Sequence, residues 1–270
     1  MTTDTQVLLE RPRAHVARVP EPATPKAPTP GRWAVRARAE VPRERDWLSP
    51  GERAQLARWH FPKRRADWRV GRWAAKHALA ECLRARGLHP ALVEMEILPA
   101  SDGAPEARVT GVNLPLALSI SHSSGLGFAV AYVGEVALGC DIERVEPRSV
   151  RFVQDYFTPA ETRLVERAPE ASRGFLATLL WSAKESGLKA RRTGLRADTR
   201  TIEVRLAGDR PGGRCGLLTL RCVEPTQRLH GCWWVADGLV HTIVADEAAC
   251  DPCDWCLGHE GPGEPGHPRD

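Results

Sequence analysis

Two stretches of this chain open a helix in the same way, and similar elements follow each. Ser49-Pro50-Gly51-Glu52 and Thr158-Pro159-Ala160-Glu161 both set a hydroxyl before a proline, with a glutamate three residues on from the hydroxyl. The hydroxyl can cap a first-turn amide, the proline fixes φ where no donor is needed, and the glutamate can reach back to the cap. After the first start, the pattern predicts a helix to about Trp59 and a longer one from about Lys63 to Arg86, stopped by Gly87. After the second, it predicts a long helix over 172–191. A strand from Trp33 precedes the first start, and Val93 to Ile97 alternates as a strand should. Residues 116–123 and 126–133 read as strands joined at Ser124-Gly125, and 136–143 as another. The second half offers strands near 201–206, 216–223, 231–236 and 239–244. A chain that repeats helix start, long helix and strands is expected to form two similar α+β lobes.

The lobes are expected over 32–146 and 147–247. A proline-rich, flexible lead-in precedes them at 1–31, and a Gly/Pro/Asp-rich disordered tail follows at 248–270. With 270 residues, 42% of them hydrophobic, the chain can bury one large core or two small ones. The formal charge of +4 is too small to imply nucleic acid. Its distribution is uneven: Arg32 to Lys76 holds 13 Lys/Arg against 5 Asp/Glu, so the remainder is net negative. Such a surplus suits an anionic small molecule, and equally a solvated arginine-rich face. No apolar run approaches the roughly 20 residues of a membrane span, and no secretory signal is expected. The cysteines form no compact disulfide framework, which makes a reducing cytoplasm the expected setting.

Four groups could carry chemistry. In Trp181-Ser182-Ala183-Lys184-Glu185-Ser186-Gly187-Leu188-Lys189, helical spacing puts Trp181, Glu185 and Lys189 on one face. A Glu and a Lys beside a Trp call for a partner such as a metal or a phosphate. In Gly139-Cys140-Asp141-Ile142-Glu143, two carboxylates two residues apart share one face of a strand. They repel unless a cation sits between them, and with Glu185 they would supply hard oxygen ligands suited to Mg²⁺. The same pair is also what an ordinary strand end carries. Ser119-Ile120-Ser121-His122-Ser123 ends a strand where Ser and His could meet a phosphate. Ser121 and His122 point to opposite faces, which counts against a nucleophilic pair. A stripe of Arg65, Arg69, Arg72 and Lys76 could bind phosphates or simply be solvated. Beyond these, Cys250, Cys253, Cys256 and His259 have zinc-like spacing, but their setting favours disorder.

Taken in order, these pieces resemble the 4′-phosphopantetheinyl transferase superfamily, of the two-lobed kind that activates peptide and polyketide synthetases. The resemblance covers about Trp33 to Val244. It is carried by Ser121-His122-Ser123, Gly139 to Glu143, and a full match at Trp181, Lys184, Glu185 and Lys189 to the family's W-x-x-K-E-x-x-x-K. It implies an α+β fold of two pseudo-symmetric lobes with the active site in the cleft between them. It implies transfer of the phosphopantetheine arm of coenzyme A to a serine of an apo acyl or peptidyl carrier protein, in the manner of a holo-[acyl-carrier-protein] synthase. Mg²⁺, replaceable by Mn²⁺, would be the cofactor, with Asp141, Glu143 and Glu185 as ligands. Ser121, His122, Lys184 and Lys189 would meet coenzyme A, while Arg53, Arg72 and Lys76 are the basic residues that could hold its 3′-phosphate. The catalytic residues implied are Glu185 as base, Lys189 on the leaving 3′,5′-ADP, and Asp141. A monomer without nucleic-acid or membrane partners is expected. The chain departs from the family at Ala104, where a basic residue is frequent, and at Glu52 and Gln55, where basic residues can meet the 3′-phosphate. Two other classes stay open: a different metal-dependent phosphotransferase or phosphate-ester hydrolase, and a non-catalytic binding module for coenzyme A or a carrier protein.

Overall fold

A computed structural model describes residues 31–207, 214–223 and 226–246. The expectations for the proline-rich lead-in and for Cys250, Cys253, Cys256 and His259 lie outside the described residues.

The N-terminal lobe contains β1 (Arg32–Ala37), α1 (Pro50–Ala57), α2 (Pro62–Arg84), β2 (Met95–Pro99), β3 (Pro105–Val109), β4 (Leu116–Ser123) and β5 (Leu126–Val133). The C-terminal lobe contains β6 (Leu138–Arg144), α3 (Val150–Tyr156), α4 (Pro159–Arg167), α5 (Glu170–Ala190), β7 (Ile202–Ala207), β8 (Cys215–Cys222), β9 (Gln227–Ala236) and β10 (Leu239–Ala245). The second lobe forms one antiparallel sheet in the order β6-β10-β9-β8-β7, and because β6 pairs with β10 it belongs here and not to the lobe expected over 32–146. The first follows the same path in two pieces, β1-β5-β4 and β2-β3. Strand β3 and helix α3 go beyond the sequence reading. It stopped at the turn before β3, and Ser149, which caps α3 on the amide of Phe152, was its only local signal.

Long helices cover one face of each sheet. Ala129 and Ala131 of β5 pack under α2, and Val240 and Val244 of β10 pack under α5. The alternate residues turn the other way. Phe128 and Val130 meet Cys140, Ile142, Cys232 and Ile243 in a third core shared by the two sheets. This explains why β5 and β10 lack polar alternation: both faces are covered, and in β10 even His241 and Thr242 are buried. The hairpins closing β4-β5 and β9-β10 turn through Ser124-Gly125 and Asp237-Gly238. All four residues have positive φ (52°, 81°, 51° and 72°), as tight hairpin turns demand.

The two helix starts do more than begin helices. Ser49 Oγ accepts from Glu52 N, and Thr158 Oγ1 from Glu161 N. Each glutamate bonds back to the cap amide and also takes an amide from the lobe's far strand: Ile97 N at 3.2 Å for Glu52, Val204 N at 2.7 Å for Glu161. The other oxygen pairs with a buried lysine of the long helix, Lys76 at 2.6 Å and Lys184 at 2.8 Å. Lys76 also donates to the carbonyls of Trp47 and Leu92, and Lys184 to those of Thr199 and Ile202.

This geometry corrects three expectations. Lys76 and Lys184 are fully buried and have spent their donors inside their own lobes, so neither reaches coenzyme A. Arg72 is also buried: its Nε donates to Ile97 O and its guanidinium lies 5.0 Å from the Trp68 ring. Helical periodicity placed Arg72 and Lys76 on one stripe of α2 correctly. It could not show that Glu52 and the strand carbonyls cover that stripe.

Candidate active site

Helix α5 lies very close to β6. A Cβ built on Gly139 would fall 1.9 Å from the carbonyl oxygen of Ser186, so no larger residue fits there. That approach brings Lys189 onto Asp141. Lys189 Nζ donates to Asp141 Oδ1 at 2.7 Å, to Ser121 Oγ at 3.1 Å and to the carbonyl of Cys140 at 3.1 Å. Ser121 Oγ donates to the same Asp141 Oδ1 at 2.7 Å. A second contact joins the lobes beside it, from Cys140 N to Ser119 Oγ at 3.0 Å. Ser121 therefore crosses from β4 of the first lobe to hold the carboxylate of the second.

Asp141 is 3% exposed, and its second oxygen, Oδ2, is buried with no hydrogen-bond partner among the described residues. A buried carboxylate oxygen left bare is costly unless a cation or donor meets it. Glu143, two residues on, accepts from Trp181 Nε1 at 3.2 Å and lies 3.5 Å from Arg148. Trp181 packs on Phe152 and Tyr156, so it is a packing anchor and a donor as well. No described residue donates a hydrogen bond to the carboxylate of Glu185.

The titrations report the crowding of charge. Burial pushes the Glu185 carboxyl up to about 7; Asp141 and Glu143 push the same way, against Lys189. Glu143 is raised by burial and by Asp141, against the pull of Arg148. Burial acts to lower Lys189, but Asp141, Cys140 and Glu185 outweigh it and the net shift is upward. These are the shifts of carboxylates that share too little positive charge. Among the described residues no three His, Cys, Asp or Glu side chains close into a metal cage. The donor chemistry nonetheless fits a hard divalent cation: three carboxylates, one with a bare buried oxygen, in a site short of positive charge.

His122 is exposed and paired in register with Gly127, on the opposite face of β4 from Ser121. Arg53 is exposed and donates to the carbonyl of Arg45. Beside Lys189 and Ser119 a cleft of about 1140 Å³ opens, lined also by Asp102, Ala104, Arg192 and Arg196. Sequence reasoning missed Arg148 and the pairing of Arg192 with Asp102 and Glu106. A basic residue soon after a carboxylate strand was the one signal for Arg148, and nothing local linked residues 90 positions apart.

Parts of this chain are similar to known proteins. The model of the 4′-phosphopantetheinyl transferase superfamily matches residues 137–233, a span that includes Asp141, Glu143, Glu185 and Lys189. The chain is 29% identical over 167 residues to the 4′-phosphopantetheinyl transferase HetI of a Nostoc species, covering 61% of this chain and 67% of that protein. Among solved structures it is similar to the holo-(acyl-carrier-protein) synthase of Bacillus anthracis in complex with CoA (3′,5′-ADP). That likeness has 21% identity and a TM-score of 0.34, over 39% of this chain and 96% of that one. The Thermotoga maritima holo-[acyl-carrier-protein] synthase is similar at 17% identity and a TM-score of 0.33, over 52% and 90%. The likeness to the 4′-phosphopantetheinyl transferase superfamily thus lies in residues 137–233 and in the 167 residues aligned with HetI.

Proposed function

We propose that the protein transfers the 4′-phosphopantetheine arm of coenzyme A to a serine of an apo acyl or peptidyl carrier protein, in a Mg²⁺-dependent reaction that releases 3′,5′-ADP. The observation that carries this reading is the bare, buried Oδ2 of Asp141 beside two carboxyls of raised pKa. Asp141, Glu143 and Glu185 would hold the cation, which supplies neutralising charge to the pyrophosphate. Ser121 keeps Asp141 oriented through its hydrogen bond. Glu185, its carboxyl raised by burial, would accept the proton of the attacking serine. Lys189, kept charged by its carboxylate neighbours, can turn to the leaving phosphate. His122 and Arg53 stay available to other phosphate oxygens. In a cytoplasmic setting a monomer suffices, since both lobes of the cleft come from one chain. No described helix is long and apolar enough to cross a membrane.

Intact-mass spectrometry of an apo carrier protein, incubated with this protein, coenzyme A and Mg²⁺, tests the reading. The carrier should gain the phosphopantetheine mass, and Glu185→Gln should cut the rate by at least about 10²-fold. Loss of phosphate or pantetheine from coenzyme A with the carrier unmodified would replace this reading with a hydrolase. Binding without turnover would leave only a binding module.

A further inference from the structure

With Arg72 and Lys76 consumed in the first lobe's core, the cleft must find positive charge for an anionic ligand elsewhere. The end of α5 provides it. Arg192 N bonds to Lys189 O and Thr193 N reaches back to Leu188 O, a closure that puts Arg192 in the left-handed region at φ 57°. Helices normally place glycine there, because a Cβ is strained in that conformation. Here an arginine holds the position, and its side chain is put to use. Arg192 Nε and Nη2 fork onto Asp102 at 2.7 and 3.2 Å, and Nη2 reaches Glu106 at 2.9 Å. Arg196 Nη2 donates to Asp102 O at 2.8 Å. Both arginines belong to the C-terminal lobe and both acids to the turn and strand at β2-β3 of the N-terminal lobe. Arg192, Arg196, Asp102 and Glu106 all line the 1140 Å³ cleft that Lys189 also lines.

We propose that Arg192 is the grip for the anionic nucleotide end of coenzyme A, and that Asp102 and Glu106 hold it in a waiting position until that ligand arrives. The inference rests on the coenzyme A reading above. Three features favour a parked residue over a permanent strap. The pair is solvent-accessible, with side-chain exposures of 46% for Arg192 and 33% for Asp102, and such pairs hold weakly. A phosphate offers the same planar fork a stronger, doubly charged acceptor. Asp102 also does not need Arg192 to keep its turn, since its Oδ1 caps the amide of Ala104 at 2.9 Å.

Arg192→Gly is the discriminating variant, because it gives the helix end the residue its backbone conformation favours. It should melt at or above the wild-type temperature. By calorimetry it should bind coenzyme A about 10-fold more weakly, as loss of one charge-assisted bidentate contact implies, and bind 4′-phosphopantetheine as the wild type does. The double variant Asp102→Asn, Glu106→Gln should tighten coenzyme A several-fold by releasing the arginine. Equal weakening toward both ligands in Arg192→Gly, or weaker coenzyme A binding in the double variant, would show a strap between lobes and overturn the proposal. Wild-type protein that binds no coenzyme A overturns this proposal together with the reading beneath it. Wild-type binding that Arg192→Gly leaves unchanged removes Arg192 alone.

Discussion

The two lobes share a frame and differ at their centres. Matching Lys76 to Lys184 and the Ser124-Gly125 turn to Asp237-Gly238 pairs every brace: Ser49 with Thr158, Glu52 with Glu161, Ile97 N with Val204 N. By the same registers, Ala34, Arg36, His77 and Glu81 stand where the second lobe has Asp141, Glu143, Glu185 and Lys189. One lobe gathers acids at this place; the other has an alanine, an arginine and a histidine. Lys184 and Glu185 are adjacent in sequence, yet the first belongs to the duplicated frame and the second to the unduplicated site. A lysine that recurs in the lobe without acids is explained by bracing, so its presence in the W-x-x-K-E stretch needs no part in catalysis.

The largest expected effect tests that division. Lys76→Glu sets a second carboxylate against Glu52 in a fully buried position, and the chain should not yield folded protein. Removing one partner only, as in Lys184→Met or Lys76→Met, leaves an uncompensated buried glutamate and should cost about 3–5 kcal/mol. Chemical denaturation checks this. If the two lobes are braced alike, the losses should match within about 1 kcal/mol. A Lys184→Met protein of unchanged stability but lost transfer would return Lys184 to the site.

Next in size is the charge at Glu185. Its folded pKa of about 7 lies above the unfolded value of 4.5, so between these values the folded state keeps a proton the unfolded state has released. Stability from this group is full below pH 4.5 and is lost as pH rises through 7. The shift corresponds to at most about 3 kcal/mol in metal-free protein. Glu185→Gln should flatten that slope and raise the melting temperature at pH 8, and Mg²⁺ should stabilise the wild type more at pH 8 than at pH 5. A slope that survives Glu185→Gln would assign it to other groups.

The frame was far more legible in the sequence than the fate of individual cations. Both capping boxes, the Ser124-Gly125 turn and the α+β duplication follow from local rules: hydroxyl before proline, glutamate at the third position, strands of alternate or continuous apolarity. The boundaries of β4 and β5 fell where the pattern put them. Burial of Lys76, Arg72 and Lys184 was not legible, because it depends on carbonyls of Trp47, Leu92, Ile97, Thr199 and Ile202 brought in by the tertiary fold. A charged residue on a helix reads as exposed until its partners are known. The Ser121 bond to Asp141 was hidden for the same reason, since it joins two lobes.

The smallest effect comes from His77, the first lobe's counterpart of Glu185, and its sign is opposite. Burial lowers its pKa from 6.5 and Arg36 adds to this, against the Trp73 carbonyl, Glu40 and Glu81. The neutral ring donates from Nδ1 to the Trp73 carbonyl at 2.8 Å. Below pH 6.5 the unfolded chain takes up the proton first, so stability from His77 is present above that value and falls as the solution is acidified. The two equivalent positions therefore tilt stability in opposite directions, Glu185 against alkali and His77 against acid. Because Glu40 and Glu81 offset part of its shift, the His77 slope should be the shallower of the two. His77→Gln should flatten the acid limb of stability against pH and leave the alkaline limb as it was. If it altered the alkaline limb as well, the two lobes would not titrate independently, and the separation of frame from site would fail at its weakest point.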